Sequence, residues 1–233
     1  MVDQRIFPPL SGIGYIKFLK EIHRRINPVW YLEVGSFKGE SLKNSTAKTV
    51  VVDPFIQLGA ESIQGKPQLH LFQMTSDEFF DAQKNDPIAD KYDLVFLDGM
   101  HLFEFLLRDF IGAEKLCASQ STIVMHDCIP ITSIASMRER NSGTWTGDVW
   151  KLVPILRKYR PDLTVEVLDC PPSGLTIISN LDSENNILIE NYEQILKEYL
   201  DETIDTYGAD KLFEELDIVS SRSAELISKI GVS

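Results

Sequence analysis

Asp98 closes an apolar run in LDGMHLFE (Leu97–Glu104), and His101 follows three residues later at the start of a helical pattern. An imidazole in that place faces the positive end of a helix dipole, which disfavours its protonated form, so His101 is expected to be neutral near pH 7. A neutral imidazole beside a strand-end carboxylate suits a general base, with Asp98 as its partner. A second apolar run, STIVMHDC (Ser121–Cys128), closes on His126 and Asp127. If the two runs are neighbouring strands about 4.8 Å apart, Asp98 and Asp127 converge on one ion, with His126 as a further ligand. That oxygen-rich set suits Mg²⁺ or Mn²⁺. Successive strand side chains point to opposite faces, so His126 and Asp127 share the site only across a local bend, and Asp127 is the favoured ligand.

A third constellation lies in YLEVGSFKGES (Tyr31–Ser41), which reads as ExGxxxGxS across a strand-to-helix turn. Gly35 and Gly39 let bare backbone approach a ligand. The nicotinamide fingerprint GxGxxG fails, because Phe37 and Glu40 stand where its second and third glycines belong. Two acids, Glu33 and Glu40, suit a cationic ligand better than a pyrophosphate. Asp53, about 20 residues beyond the first glycine, sits where an acid commonly accepts hydrogen bonds from ribose hydroxyls. Met74 and Thr75 follow a further short run and would line an adenine pocket, although Ser76-Asp-Glu-Phe equally reads as a helix start. In GTWTGDVWK (Gly143–Lys151), Trp145 and Trp150 are candidates to stack on an acceptor ring, and packing explains them equally well.

These residues must be carried by strands and helices in alternation. Strand-like runs occur at Val29–Val34, Lys48–Asp53, Leu69–Phe72, Tyr92–Asp98, Ser121–Asp127, Leu163–Leu168 and Gly174–Ser179. Most are continuously apolar, as strands buried on both faces are. Helical spacing is found over Ser11–Ile26, His101–Cys117 and Asp148–Tyr159. The pattern implies βα units and a mostly parallel α/β sheet. Only DCPPS separates the last two runs, which is too short for a parallel crossover and demands an antiparallel hairpin. From Leu181 onward the chain is acidic and helical, an extension expected to pack on the same domain or on a second subunit.

With 35 acids against 23 bases the formal net charge is −12, which argues against a nucleic-acid footprint. Three cysteines without a CxxC spacing make neither a disulfide framework nor a zinc knuckle. No apolar run approaches the ~18 residues of a membrane span. The N-terminal MVDQRIFPPL lacks the basic-then-apolar order of a secretory signal, so a cytoplasmic protein is expected.

Taken together, ExGxxxGxS, Asp53, LDGxHxxE and the HD pair resemble the class I S-adenosylmethionine-dependent methyltransferases, and most closely the sugar and macrolide O-methyltransferase branch. The resemblance spans about Trp30 to Asn180. It implies a Rossmann-like, doubly wound, seven-stranded sheet of order 3-2-1-4-5-7-6 with the last strand antiparallel, and helical additions at both termini. It divides the chain into a methyltransferase domain over 1–180 and a C-terminal extension over 181–233. The cofactor would be S-adenosyl-L-methionine, contacted by Glu33, Gly35, Ser36, Gly39, Ser41, Asp53, Met74, Thr75 and Asp98. Metal-dependent relatives place carboxylates at the fourth and fifth strand ends, here Asp98 and Asp127. The acceptor would be a small polar molecule such as a sugar or glycoside. Nucleic acid and membrane are not expected as partners, and the terminal helices are candidates for a homo-oligomer contact. A metal-dependent hydrolase and a non-catalytic nucleoside-cofactor binder are the competing readings.

Overall fold

The structure is a computed structural model that describes residues 6–141 and 143–231, so the N-terminal signal reading falls partly, at Met1–Arg5, outside the described residues. Seven strands form one sheet: β1 (Trp30–Val34), β2 (Lys48–Val52), β3 (Leu69–Phe72), β4 (Tyr92–Leu97), β5 (Cys117–His126), β6 (Thr164–Leu168) and β7 (Leu175–Ser179). Their order is β3-β2-β1-β4-β5-β7-β6. The first five pair in parallel, and β7 runs antiparallel to both of its neighbours. This is the order and polarity expected from the sequence. It brings the carboxyl ends of β1, β2, β4 and β5 to one edge, where open α/β sheets bind ligands.

Strand residues of alternating parity feed two separate cores. On one face Leu32, Val34, Val50, Val95, Leu97, Ile123 and Met125 pack under α4 (Phe103–Lys115) and α5 (Leu152–Tyr159). On the other, Tyr31, Val51, Leu94, Phe96 and Val124 pack under Phe18, Leu19 and Ile22 of α1 (Tyr15–Ile26). Continuous apolar runs are the consequence of covering both faces. Between β2 and β4 lie two more helices, α2 (Ala60–Ile63) and α3 (Ser76–Gln83).

The first helix starts four residues later than its spacing suggests. Gly12 packs its bare backbone against Asp169, where a Cβ would stand 2.1 Å from the carboxylate, and so is held outside the helix. The fourth helix begins at Phe103, not His101. Its N-cap position is the apolar Leu102, and the amide of Phe103 is instead capped by the distant Asp148 at 2.9 Å.

Beyond β7 come α6 (Ile187–Glu190), α7 (Tyr192–Tyr199), α8 (Ile204–Tyr207), α9 (Ala209–Leu216) and α10 (Ala224–Lys229). Ile195, Tyr199, Leu212 and Leu216 join the α4–α5 core, while Leu226 joins the α1 core. Val219 pairs with the open edge of β6 through Val219 N to Val167 O at 2.8 Å and Asp169 N to Val219 O at 3.1 Å. The acidic tail therefore wraps both faces of the sheet and closes one of its edges. No helix among the described residues is long and apolar enough to cross a membrane.

Candidate functional site

At the carboxyl edge of the sheet lies a cavity of about 960 Å³, walled by residues from the ends of β1, β2, β4 and β5, the start of α3, Tyr15 and the loop before α5. The turn after β1 supplies its first wall. Gly35 has φ +85°, and a Cβ there would lie 2.0 Å from the carbonyl oxygen of Asp98, so only glycine lets the ends of β1 and β4 close together. Ser36 lines the cavity, and its hydroxyl is buried without a hydrogen-bond partner. An orphaned buried hydroxyl is costly unless a ligand or water satisfies it. Ser41 also lines the wall.

Glu33 is not on the wall. Strand alternation turns it to the α1 face, where it is fully buried and accepts from Tyr31 Oη at 2.6 Å and Ser41 Oγ at 2.5 Å. Its reach toward the cavity passes through Ser41. Burial pushes its carboxyl up to about 7, against the pull of the two hydroxyl donors. A carboxyl raised in the folded chain stays protonated while the unfolded chain ionises. The folded state therefore loses stability as pH rises from the ordinary carboxylate range to about 7. Denaturant melts of Glu33→Gln should show a flatter decline across that window than the parent protein. Identical slopes would mean that Glu33 is ionised throughout.

Gly39 and Met74 also lie off the cavity wall. Gly39 has φ +75° and faces Leu58 and Ser62, where a Cβ would stand 2.6–2.7 Å away, so its bare backbone serves packing. Met74 packs against the α4–α5 core. Thr75 does line the cavity, but its hydroxyl is engaged in a capping box with Glu78 at the start of α3. Asp53 lines the wall and braces two loops, accepting from Phe37 N at 2.7 Å and Phe55 N at 2.6 Å. Each of its oxygens keeps a lone pair for a further donor. Phe37, the residue that breaks the glycine fingerprint, adopts φ +43° and is exposed on the wall.

The far wall is an acid–imidazole cluster. His101 stands with Nε2 at 3.5 Å from Asp98 Oδ1 and Nδ1 at 3.4 Å from Asp127 Oδ2. His126 Nδ1 lies 3.3 Å from both Asp98 Oδ1 and Asp127 Oδ1. The local bend that lets His126 and Asp127 share one face is Asp127 itself, at φ +63°. The Ser173 hydroxyl donates to Asp127. His126 is buried, and its ring stacks on Tyr15 at 4.1 Å between centroids.

Charge in this cluster runs opposite to the dipole expectation for His101. Burial pulls its basicity down, but hydrogen bonding and charge from Asp98 and Asp127 raise it above the ordinary histidine value. Two nearby carboxylates favour the charged form of an imidazole. His126 behaves likewise: burial opposes its charge, yet Asp98 and Asp127 push it up to about 10. Burial would raise Asp98, and the paired imidazoles instead hold it far below the usual carboxylate range. His101 Nδ1 is 2.9 Å from the Trp145 carbonyl, which can only accept, so the neutral ring carries its lone pair on Nε2.

The sequence reading groups Asp98, Asp127 and His126 around a cation. Asp98, His101 and Asp127 each offer one ligand atom, all within 4.8 Å of one another. His126 is instead held between the two carboxylates. Two carboxylates and an imidazole in that span fit an octahedral Mg²⁺ or Mn²⁺.

Sequence reasoning missed Tyr15 and Arg140, which line the cavity from segments remote in the chain, and Phe105 of α4. Of the two tryptophans singled out, Trp145 lines the cavity and stacks on His101 at 5.4 Å and 22°, whereas Trp150 is core.

Residues 32–128 match a family model described as a methyltransferase domain. Among solved structures, the chain resembles the O-methyltransferase TomG from Streptomyces achromogenes, involved in tomaymycin synthesis and solved with SAM. The identity is 15%, the TM-score 0.52, and the match covers 72% of this chain and 79% of that one. An O-methyltransferase from Bacillus cereus in complex with SAH matches at 13% identity and TM-score 0.51, over 75% and 84% of the two chains. The SAH-bound Podospora anserina methyltransferase PaMTH1 matches at 14% and 0.50, over 72% and 78%. At these identities the likeness is one of fold. No curated protein matches the sequence.

Proposed function

We propose that this chain, whose residues 32–128 match a methyltransferase domain and whose sheet has the order β3-β2-β1-β4-β5-β7-β6, is a class I S-adenosylmethionine-dependent methyltransferase that methylates a hydroxyl oxygen on a small polar acceptor, such as a sugar or glycoside. One observation carries the reading: the bare turn at Gly35–Ser41, with its unsatisfied Ser36 hydroxyl, shares a single cavity with the Asp98–His101 pair. The solved neighbours named with SAM or SAH support the cofactor.

In this reading Gly35, Ser36 and Ser41 receive the amino-acid end of S-adenosylmethionine, and Asp53 receives its ribose. The acceptor oxygen attacks the methyl carbon in line with the departing sulfur, so a C–O bond forms as the C–S bond breaks and a neutral thioether leaves. Holding the two groups in that line does most of the work. The hydroxyl proton passes to His101 Nε2, the nitrogen left free by the bond to Trp145, and Asp98 stabilises the imidazolium so formed. Asp98 and Asp127 would hold Mg²⁺ or Mn²⁺, with His101 as third donor. When bound, such an ion would lower the pKa of the acceptor hydroxyl. A nitrogen that binds the ion does not take the proton, so the two uses of His101 are alternatives.

Calorimetry with S-adenosylhomocysteine tests the cofactor assignment. Replacing Asp53 by Ala should weaken binding by about 10- to 100-fold, the ~1.5–3 kcal/mol of a hydrogen bond to a charged group. Equal affinities would remove Asp53 from the ribose site. No binding to either protein would remove the cofactor reading itself.

A further inference from the structure

Every carboxylate on the cavity wall is already matched. Asp53 holds the Phe37 and Phe55 amides, and Asp77 is bound bidentately by Arg108 at 2.7 and 2.8 Å. Glu40 pairs with Lys43 at 2.9 Å, while Asp98 and Asp127 face the two imidazoles. The cations on the wall are not matched in the same way. Lys38 and Arg140 line the cavity, and neither has a carboxylate within ion-pair distance among the described residues. Lys38 lies against the Phe37 ring on the turn proposed to hold the cofactor, whose own carboxylate can take it.

Arg140 is the anomaly. Arg24, Arg25, Arg108, Arg138 and Arg160 bond carboxylates. Arg157 and Arg222 bond backbone carbonyls. Arg140 alone among the described arginines has neither, in a chain with 35 acids and 23 bases. Its single partner is the ring of Trp145, 5.9 Å from the guanidinium carbon. That ring is fixed on both sides. Trp145 Nε1 donates to the Met137 carbonyl at 2.7 Å, and the indole stacks on His101, which bonds the Trp145 carbonyl. Gly147, at φ +61°, presses its backbone onto the His101 carbonyl, and Asp148 caps Phe103. The loop thus carries a free guanidinium one indole away from the proposed base.

We propose that the methyl acceptor is an anion, and that Arg140 receives its oxyanion while the hydroxyl to be methylated lies at His101. A guanidinium fork matches both carboxylate and phosphate. The acceptor is then a small molecule that carries both a hydroxyl and an anionic group. This deepens the proposed function and rests on it for the position of the reacting hydroxyl.

The test is titration of benzoate, phenyl phosphate and the neutral benzamide into the protein, with and without saturating S-adenosylhomocysteine, followed by calorimetry. The anions should bind the parent protein roughly tenfold more tightly than benzamide, a charge-assisted hydrogen bond's worth. The two anion arms tell a carboxylate-bearing acceptor from a phosphate-bearing one, and a preference for either supports the proposal. In Arg140→Gln the preference should collapse to within about twofold, while Arg140→Lys should keep part of it. Arg140 is exposed, so these variants should fold, and unchanged S-adenosylhomocysteine affinity checks that they do. No saturable anion binding, equal binding of anion and amide, or a preference that survives in Arg140→Gln overturns the proposal. Failure of S-adenosylhomocysteine to bind at all would instead overturn the cofactor reading, and the titrations without it still report on Arg140.

Discussion

His101→Ala should lower kcat by about 10²–10⁴ while leaving S-adenosylhomocysteine affinity nearly unchanged. The residue touches Asp98, Asp127 and Trp145 and lines the cavity, yet none of its bonds reaches the glycine turn or Asp53. A base must be unprotonated to act, and the two carboxylates raise His101 above the ordinary value of 6.5. Activity should therefore fall as pH drops through a point above 6.5, and this acid limb should disappear in the variant. His101→Gln keeps a hydrogen-bonding side chain against the Trp145 carbonyl and should be as impaired as the Ala variant if proton transfer is the role. A severalfold loss or less, with the limb intact, would leave His101 as a residue that only orients the loop carrying Trp145.

The strand ends were legible because the physics behind them is local. Asp53, Asp98 and Asp127 each terminate an apolar run, and a parallel sheet of this order must bring such ends to one edge. Glu33 was legible too, had its parity been followed. Tyr31 and Glu33 are two apart on one strand, so they share the face that packs under α1, and their hydroxyl–carboxylate bond follows from that. What local pattern does not carry is the return of distant segments. Asp148 caps α4 across 45 residues, and Trp145 reaches His101 across 44. Tyr15 comes to His126 from a helix on the opposite end of the domain's sequence, with no motif to announce it. The left-handed backbone at Asp127, which sets His126 and Asp127 on one side, is an L-residue outlier that tertiary packing enforces. Those same contacts set His101 beside Asp98 and Asp127, in a group whose ligand atoms all lie within 4.8 Å of one another.

Chelation should have the largest effect of any single treatment. If a divalent ion sits among Asp98, Asp127 and His101, EDTA should bring turnover to background, Mg²⁺ or Mn²⁺ should restore it, and Asp127→Asn should respond weakly. Mn²⁺ binding followed by electron paramagnetic resonance gives a readout independent of activity, and it should be lost in the same variant. The physical contest is between two positive charges for one pair of carboxylates. His126 already lies 3.3 Å from both Asp98 and Asp127, fixed from behind by Tyr15 and Ser173. A dication held by the two carboxylates would add charge that the imidazolium does not supply, on a wall that an acceptor oxygen in the cavity can approach. Full turnover in EDTA, with no Mn²⁺ signal, would assign the compensating charge to His126 alone. The carboxylates would then serve to hold two imidazoles in register, and His101, freed from any ligand role, would be left as the base.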